Sequence, residues 1–343
     1  MATIRDVARL ANVSVATVSN ALNNAERVSP ELLARVRAAV DKLGYAPDAA
    51  ARSLRKGSSR LIGLIVGDIT NPFFSDLFEA VEDAAAARGY LVLLCNSNER
   101  VEREEAHLKM LRSQRIDGLI LAPTGAVSMN RAALLAALEI PVVLVDRAMD
   151  GLGYDAVVLD NHRAAYEATT HIVGHDHRRI ALINGPEIVR TAADRLQGYR
   201  EALLAAGLAF DQALVRDADF QEQAAYDAAI DLLRGAAAPT AILATNNLMT
   251  IGALRAVADL GLSCPRDVSI VGIDDLSWAE AVTPRLTTVA QPVRAMGETA
   301  LDLVVERMSG ARTSAGATTV MAPRLIVRNS CAAPALSKAS HVQ

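Results

Sequence analysis

The residues with the clearest chemistry are spread along the chain, yet most share one kind of position, the end of an apolar run. Asn71-Pro72-Phe73-Phe74 follows Leu61–Val66, Asp146-Arg147 follows Val142–Val145, Asn246 follows Ala241–Ala244, and Asp274-Asp275 follows Ser269–Ile273. Arg195, Phe220 and Gln291 fall at comparable loop or helix-start positions. The chain has only five Phe, and three of them belong to this set. Aromatic faces take the C–H faces of a sugar ring, while each hydroxyl needs donors and acceptors of the kind Asp, Asn, Arg and Gln supply. A ligand lacking one hydroxyl would strand a buried polar group, so such a set discriminates sharply. Each member also has a plainer reading: Asn71 as a helix cap, Phe73 and Phe74 as core, Asp146-Arg147 as a local ion pair. The shared position favours a ligand set.

Catalysis is not expected. Asp274 and Asp275 are adjacent, so their side chains diverge and cannot form an acid/base pair. No Ser stands in a nucleophile elbow, and Gly57, Gly63 and Gly67 are too widely spaced for a phosphate cradle, so no nucleotide cofactor is expected. His171, His175 and His177 are of metal-ligand type, but the Gly174-His175 turn joins a helix to a strand away from the cleft edge. A solvated loop without metal is expected there. Cys95, Cys264 and Cys331 are too few and scattered for a disulfide framework or a zinc site.

The first sixty residues have a different chemistry. Ile4, Val7, Ala8 and Ala11 recur at helical spacing behind Thr3, with Asp6 placed for a loose capping box. Asn12-Val13 makes a turn and Ser14 caps a second helix. Val18, Ala21 and Leu22 point inward there, while Val15, Ala16, Thr17, Asn20 and Asn23 face out. That outer face is small and neutral, as a helix needs if it is to enter a major groove about 12 Å wide. A third helix runs from Ser29-Pro30-Glu31 through Val36, Val40 and Leu43 to Gly44. The Ala-rich stretch that follows is too short to be a stable helix alone and carries Leu54 beside Arg55 and Lys56. Folding on DNA would let Leu54 wedge between base pairs while the two cations meet phosphates. Residues 1–60 carry ten Lys/Arg against five Asp/Glu, net +5, which leaves −9 to the rest. A basic head on an acidic body suits a head that binds nucleic acid.

The body alternates strand-type and helical stretches. Strands are expected at Leu61–Val66, Leu91–Leu94, Gly118–Leu121, Val142–Val145, Ala156–Leu159, Ile180–Ile183, Ala241–Ala244 and Ser269–Ile273. Helices are expected at Phe74–Arg88, Glu102–Arg112, Arg163–Gly174, Leu196–Ala206, Glu222–Arg234 and Asn247–Leu260. Repeated βα units in two similar halves imply two doubly wound parallel sheets, with ligand binding outside the strand carboxyl ends. A composition 51% apolar and 22% charged is that of a globular chain, and no apolar run is long enough to span a bilayer. With charges at Arg5, Asp6 and Arg9 in place of a signal-peptide core, a cytoplasmic protein is expected.

Residues 2–60 resemble the headpiece and hinge of the LacI/GalR family of bacterial repressors, through the order T-I-R-D-V-A…V-S…T-V-S…L-N…Y-x-P-x-x-x-A-R-S-L. Residues 60–330 resemble the periplasmic sugar-binding-protein fold of that family, nearest in pocket motif to its ribose-type members. The resemblance implies a small helix-turn-helix headpiece (1–46), a hinge helix (47–59), a two-lobed α/β core (60–330) and a flexible tail (331–343). Lobe one would take 60–161 and 291–323, and lobe two 162–290 and 324–330. It implies a homodimer on near-palindromic double-stranded operator DNA. Val15, Ala16 and Asn20 would face base edges, Thr3, Ser14, Thr17, Ser19 and Asn23 would hold phosphates, and Leu54 with Arg55 would enter or flank the minor groove. Asn71, Phe73, Phe74, Asp146, Arg147, Arg195, Phe220, Asn246, Asp274 and Gln291 would hold a small sugar, ribose or a similar monosaccharide; a purine or nucleoside corepressor is the alternative. Three places depart from the pattern: Asp48 stands where the family often has Asn or Ser, Glu26-Arg27 changes the loop expected near the DNA backbone, and Asn247 stands where sugar-responsive members often have Asp. The end of the chain lacks heptads, so a dimer and not a tetramer is expected.

Overall fold

The computed structural model describes residues 2–23, 26, 28–45, 58–125, 128–149 and 151–334. It divides into two compact units, Met1–Ser59 and Arg60–Gln343. Most of the expected hinge helix, including Leu54 and Arg55, lies outside the described residues.

Among its described residues the first unit has three helices, α1 (Ile4–Ala11), α2 (Val15–Asn23) and α3 (Pro30–Leu43). Each starts on a side-chain cap. Thr3 and Asp6 form a reciprocal capping box on α1, Ser14 Oγ accepts from the Thr17 N–H at 3.0 Å, and Ser29 Oγ accepts from the Leu32 N–H. Left-handed Asn12 ends α1 and Gly44 ends α3. Arg35 of α3 donates to the carbonyls of Ala11 (2.6 Å) and Asn12, satisfying orphan acceptors at the end of α1. The core is small: Val7, Ala8, Ala11, Val18, Ala21, Val36 and Ala39.

The second unit is built on two six-stranded sheets. The first is formed by β1 (Leu61–Val66), β2 (Leu91–Asn96), β3 (Gly118–Leu121), β4 (Val142–Val145), β5 (Asp155–Leu159) and β11 (Thr318–Met321), in the order β11-β5-β4-β3-β1-β2, all parallel. The second is formed by β6 (Ile180–Asn184), β7 (Val215–Asp217), β8 (Ala241–Ala244), β9 (Ser269–Ile273), β10 (Thr287–Ala290) and β12 (Arg324–Ile326), in the order β12-β10-β9-β8-β6-β7. Only the β10–β12 pair is antiparallel. The chain passes between the sheets after β5, after β10 and again between β11 and β12. The helices are α4 (Pro72–Ala87), α5 (Val101–Ser113), α6 (Met129–Ala136), α7 (Asn161–Gly174), α8 (Arg190–Ala205), α9 (Glu222–Arg234), α10 (Asn247–Asp259) and α11 (Val293–Ser309). Helices α4 and α11 pack together, as do α7 with α8 and α9 with α10. The interior strands are buried end to end, as helices on both faces require.

Strands β7, β10, β11 and β12 and helices α6 and α11 go beyond the expected elements, and α8 begins six residues earlier than expected. The missed strands are three or four residues long, and all but β10 are half exposed. Such edges carry little periodic signal. The early start of α8 corrects one expectation: Arg195 sits in its second turn, not at a helix start.

Two further expectations are corrected. The loop after α7 is not simply solvated, because His177 is fully buried. Its Nδ1 lies 2.8 Å from Thr240 Oγ1, and its Nε2 lies 3.0 Å from Ser269 Oγ and 2.9 Å from the Ala332 carbonyl. Those partners also fix the segment expected to begin a flexible tail. Cys331 is buried, and the Ala332 N–H donates to Ser269 Oγ at 3.1 Å, so the first residues of that segment are held against the second sheet.

Close helix packing in the second unit rests on glycine. A Cβ on Gly198 of α8 would lie 2.1 Å from the His162 carbonyl oxygen of α7 and 3.0 Å from the Tyr166 nitrogen. Backbone cannot step aside as a side chain can. Gly198→Ala is expected to cost about 3 kcal/mol, the upper end of ordinary overpacking, measured by denaturant unfolding of the full chain. An unchanged midpoint would contradict this.

Candidate functional site

The ends of the central strands of both sheets face one cleft. Asn71, Phe73, Phe74, Asp146 and Arg147 reach it from the first sheet, and Arg195, Phe220, Asn246 and Asp274 from the second, with Gln291 on the connection after β10. The structure therefore brings all ten sequence-selected residues to one place. It adds Asp68, Glu99, Thr191, Gln221 and Leu248. The cleft has about 430 Å³ of space between its lining atoms, counting what is open to solvent, and its side chains pair across it.

Arg147 is the centre of that pairing. It makes a two-pronged bond to Glu99, 2.7 Å for each prong, and donates to the Pro123 carbonyl at 3.0 Å. Its Nε is 3.3 Å from Asp146 Oδ2, and its guanidinium lies 5.4 Å from the centre of the Phe220 ring. Glu99 holds the guanidinium charged despite burial. Gly67 makes room for this carboxylate: a Cβ there would meet Glu99 Oε1 at 2.2 Å.

Other side chains both build the cleft and line it. Asn71 Oδ1 caps α4 by accepting from the Phe73 N–H (3.1 Å) and also accepts from Asn247 Nδ2 (3.2 Å), a direct bond between the lobes. Phe73 and Phe74 are core residues whose rings meet edge to face, 5.0 Å between centres. Asn246 Oδ1 caps α10 and its amide donates to the Phe220 carbonyl at 3.1 Å, fixing that ring's backbone. Arg195 donates to Asn161 Oδ1 at 2.8 Å and the Thr245 carbonyl at 2.6 Å. The plainer readings of Asn71 and of the Asp146-Arg147 pair are therefore true as well.

Asp274 faces the cleft and accepts from Gln291 Nε2 at 2.5 Å, while Asp275 turns away to Arg328 and Thr288. Burial pushes the carboxyls of Asp146 and Asp274 above their usual range, only partly opposed by Arg147 and Arg195 for the first and Arg195 and Gln291 for the second. Burial also lowers the Arg195 guanidinium, opposed by Asp274 and Asp146. Gln291 Oε1 is buried with no hydrogen-bond partner among the described residues. Glu99, Asp146, Phe220 and Asp274 all have positive φ, at 52°, 66°, 56° and 79°. Strained backbone of this kind concentrates at ligand sites. Chemically, the cleft offers aromatic faces and buried acceptors that need donors.

The outer face of α2 is a candidate nucleic-acid interface. Val15, Ala16 and Asn20 are exposed, and Thr17 and Ser19 half-buried. Thr3 donates its hydroxyl to Asp6 at 2.7 Å, and Ser14 Oγ lies 2.8 Å from Thr17 Oγ1. Asn23 is the last residue of α2, and its side chain lies outside those described. Among the described residues no helix is long and apolar enough to cross a membrane.

Residues 3–48 match the family described as bacterial regulatory proteins, lacI family, and residues 59–326 match periplasmic binding proteins and sugar binding domain of LacI family. The ribose operon repressor of Escherichia coli K12 is 36% identical over 310 residues, covering 90% of this chain and 94% of its own. The HTH-type transcriptional repressor PurR of Proteus mirabilis is 34% identical over 333 residues, 97% of each chain. The Lac repressor dimer bound to operator and the anti-inducer ONPF superposes with a TM-score of 0.85 at 28% identity, covering 97% of this chain and 99% of that one. The chain belongs to the LacI family of bacterial regulatory proteins.

Proposed function

We propose that this repressor binds a near-palindromic operator as a homodimer through α2 and the segment around Leu54, and that a neutral monosaccharide of ribose type between the lobes releases it. The observation that carries the effector assignment is the set of buried acceptors in one cleft: Asp146, Asp274 and the unpartnered Gln291 Oε1, beside the rings of Phe73, Phe74 and Phe220. Hydroxyl groups donate to such acceptors, and a sugar's C–H faces cover the rings. The likeness to the ribose operon repressor supports this reading. Arg147 among carboxylates suits a polyhydroxylated ring better than a flat base. The ligand would compete with the Asn71–Asn247 bond and the Arg147–Phe220 stack between the lobes, and so alter their closure. A coupling of about 1–3 kcal/mol between effector and operator is the usual scale.

Titration calorimetry with ribose, other pentoses, fructose, hypoxanthine and guanine tests this. A saturable sugar isotherm is expected, and tight purine binding with no sugar response would overturn it. The lining also sets a charge filter, with four carboxylates (Asp68, Glu99, Asp146, Asp274) against two guanidiniums. Sugar phosphates and sugar acids should not bind. Hydroxyl donors favour ionised Asp146 and Asp274, so bound sugar lowers their raised pKa values and releases protons. Affinity is therefore expected to fall as pH drops from neutral through the raised carboxyl range of the empty cleft, read by calorimetry in a pH series. Affinity that rises on acidification would contradict the role given to these two groups.

A further inference from the structure

Away from the cleft, the last turn of α7 and the C-terminal segment bring together three side chains that the proposed function leaves idle. His171, in the last turn of α7, and His175, the residue that caps its end, have ring centres 4.5 Å apart. Cys331 arrives from the other end of the sequence. One ligand atom from each of the three lies within 4.8 Å of the others.

Three details separate this cluster from casual packing. His171 Nε2 is buried with no hydrogen-bond partner among the described residues, a cost that native folds rarely leave unmet. His175 Nδ1 is 2.9 Å from the His171 carbonyl. A ring that donates there keeps its other nitrogen as a lone pair, the orienting device common to metal-bound histidines. The cluster also lies at the carboxyl end of a 14-residue helix, where the macrodipole favours a cation.

We propose that His171, His175 and Cys331 bind a zinc-class transition-metal ion, which pins the C-terminal segment to the end of α7. Two imidazoles and a thiolate suit zinc and its softer neighbours, whereas magnesium and calcium require oxygen donors. On binding, the Cys331 thiol loses its proton to solvent and its sulfur forms a bond to the metal; the imidazoles bind as neutral rings. The fourth tetrahedral position is left for water or a further donor.

The test is Co²⁺ titration of the untagged full chain under a non-thiol reductant, followed by Zn²⁺ competition. One Co²⁺ per chain is expected, with a sulfur-to-metal charge-transfer band that Zn²⁺ abolishes. Cys331→Ser should lose the band, and His175→Ala should weaken binding by about 100-fold or more, since even partners of metal ligands are worth 10–100-fold. Because Cys331 is buried and its replacement can impair folding, the half-exposed His175 provides the second, independent variant. Absence of a charge-transfer band in the native chain, or unaltered Co²⁺ affinity in a folded His175→Ala protein, would overturn the proposal. The cleft residues are untouched in both variants, so sugar binding measured alongside reports separately on the effector assignment.

Discussion

Arg195→Ala is expected to abolish the effector response while operator binding persists. The guanidinium is buried in the cleft beside Asp146 and Asp274, and it ties Asn161 at the start of α7 to the Thr245 carbonyl at the end of β8. Its loss removes a charged donor from the ligand and leaves two buried carboxylates with less compensation. Truncating one partner of a buried, hydrogen-bonded charge pair costs about 2–5 kcal/mol, or about 30-fold to several thousand-fold in affinity. Calorimetry should therefore show no sugar binding at ordinary concentrations. The headpiece has its own core around Val7, Val18 and Val36, so an operator mobility-shift assay should show repression that no longer yields to sugar. Arg195→Lys keeps the charge but not the planar fork, and only partial recovery is expected. Normal induction in the Ala variant would contradict the placement of the effector.

Arg131→Met should be the more damaging change for the fold. Arg131 of α6 and Glu104 of α5 are fully buried and joined at 3.0 Å. Arg131 also donates to the Thr124 carbonyl, while Glu104 accepts from the Thr124 N–H at 2.6 Å. This network fixes the loop after β3, whose Pro123 carbonyl receives Arg147 of the cleft. Breaking a buried pair from one side costs about 3–5 kcal/mol because a charge is left uncompensated. Burial already raises the Glu104 carboxyl, with Arg131 and Thr124 opposing. Without the arginine it rises further. A carboxyl raised in the fold carries no penalty below its unfolded pKa and the full penalty above its folded one. The deficit in Arg131→Met is thus expected to be largest at neutral pH and to shrink on acidification towards the usual Glu range, as urea unfolding in a pH series would show. A deficit independent of pH would mean that lost packing, not the stranded charge, sets the cost.

The cleft was legible because its chemistry sits at strand ends, and strand ends are the easiest boundaries to read in a buried parallel sheet. Val142–Val145 is wholly apolar, so Asp146-Arg147 marks where the sheet stops and solvent or ligand begins. Glu99 and Glu104 were not legible. They fall in the run Glu99-Arg100-Val101-Glu102-Arg103-Glu104-Glu105, which has the look of a solvated helix face. Only the fold turns one toward Arg147 and the other toward Arg131. The buried role of His177 was hidden for the same reason: its partners Thr240, Ser269 and Ala332 are far away in sequence. The helix starts behind Thr3, Ser14, Ser29 and Asn71 were visible, whereas α8 follows Val189 with no side-chain cap and its first turn was missed, as was short α6 despite its Ser128 cap.

The central claim is that a helix-turn-helix head and a hydroxyl-reading cleft form one switch. Selection of the full-length protein against random duplex, followed by fluorescence anisotropy on the enriched sequence with and without ribose, tests that claim most directly. Enrichment of an inverted repeat, bound by a dimer and released as ribose is added, is the predicted result. Equal binding to every duplex, unaffected by any sugar or purine tried, would contradict it.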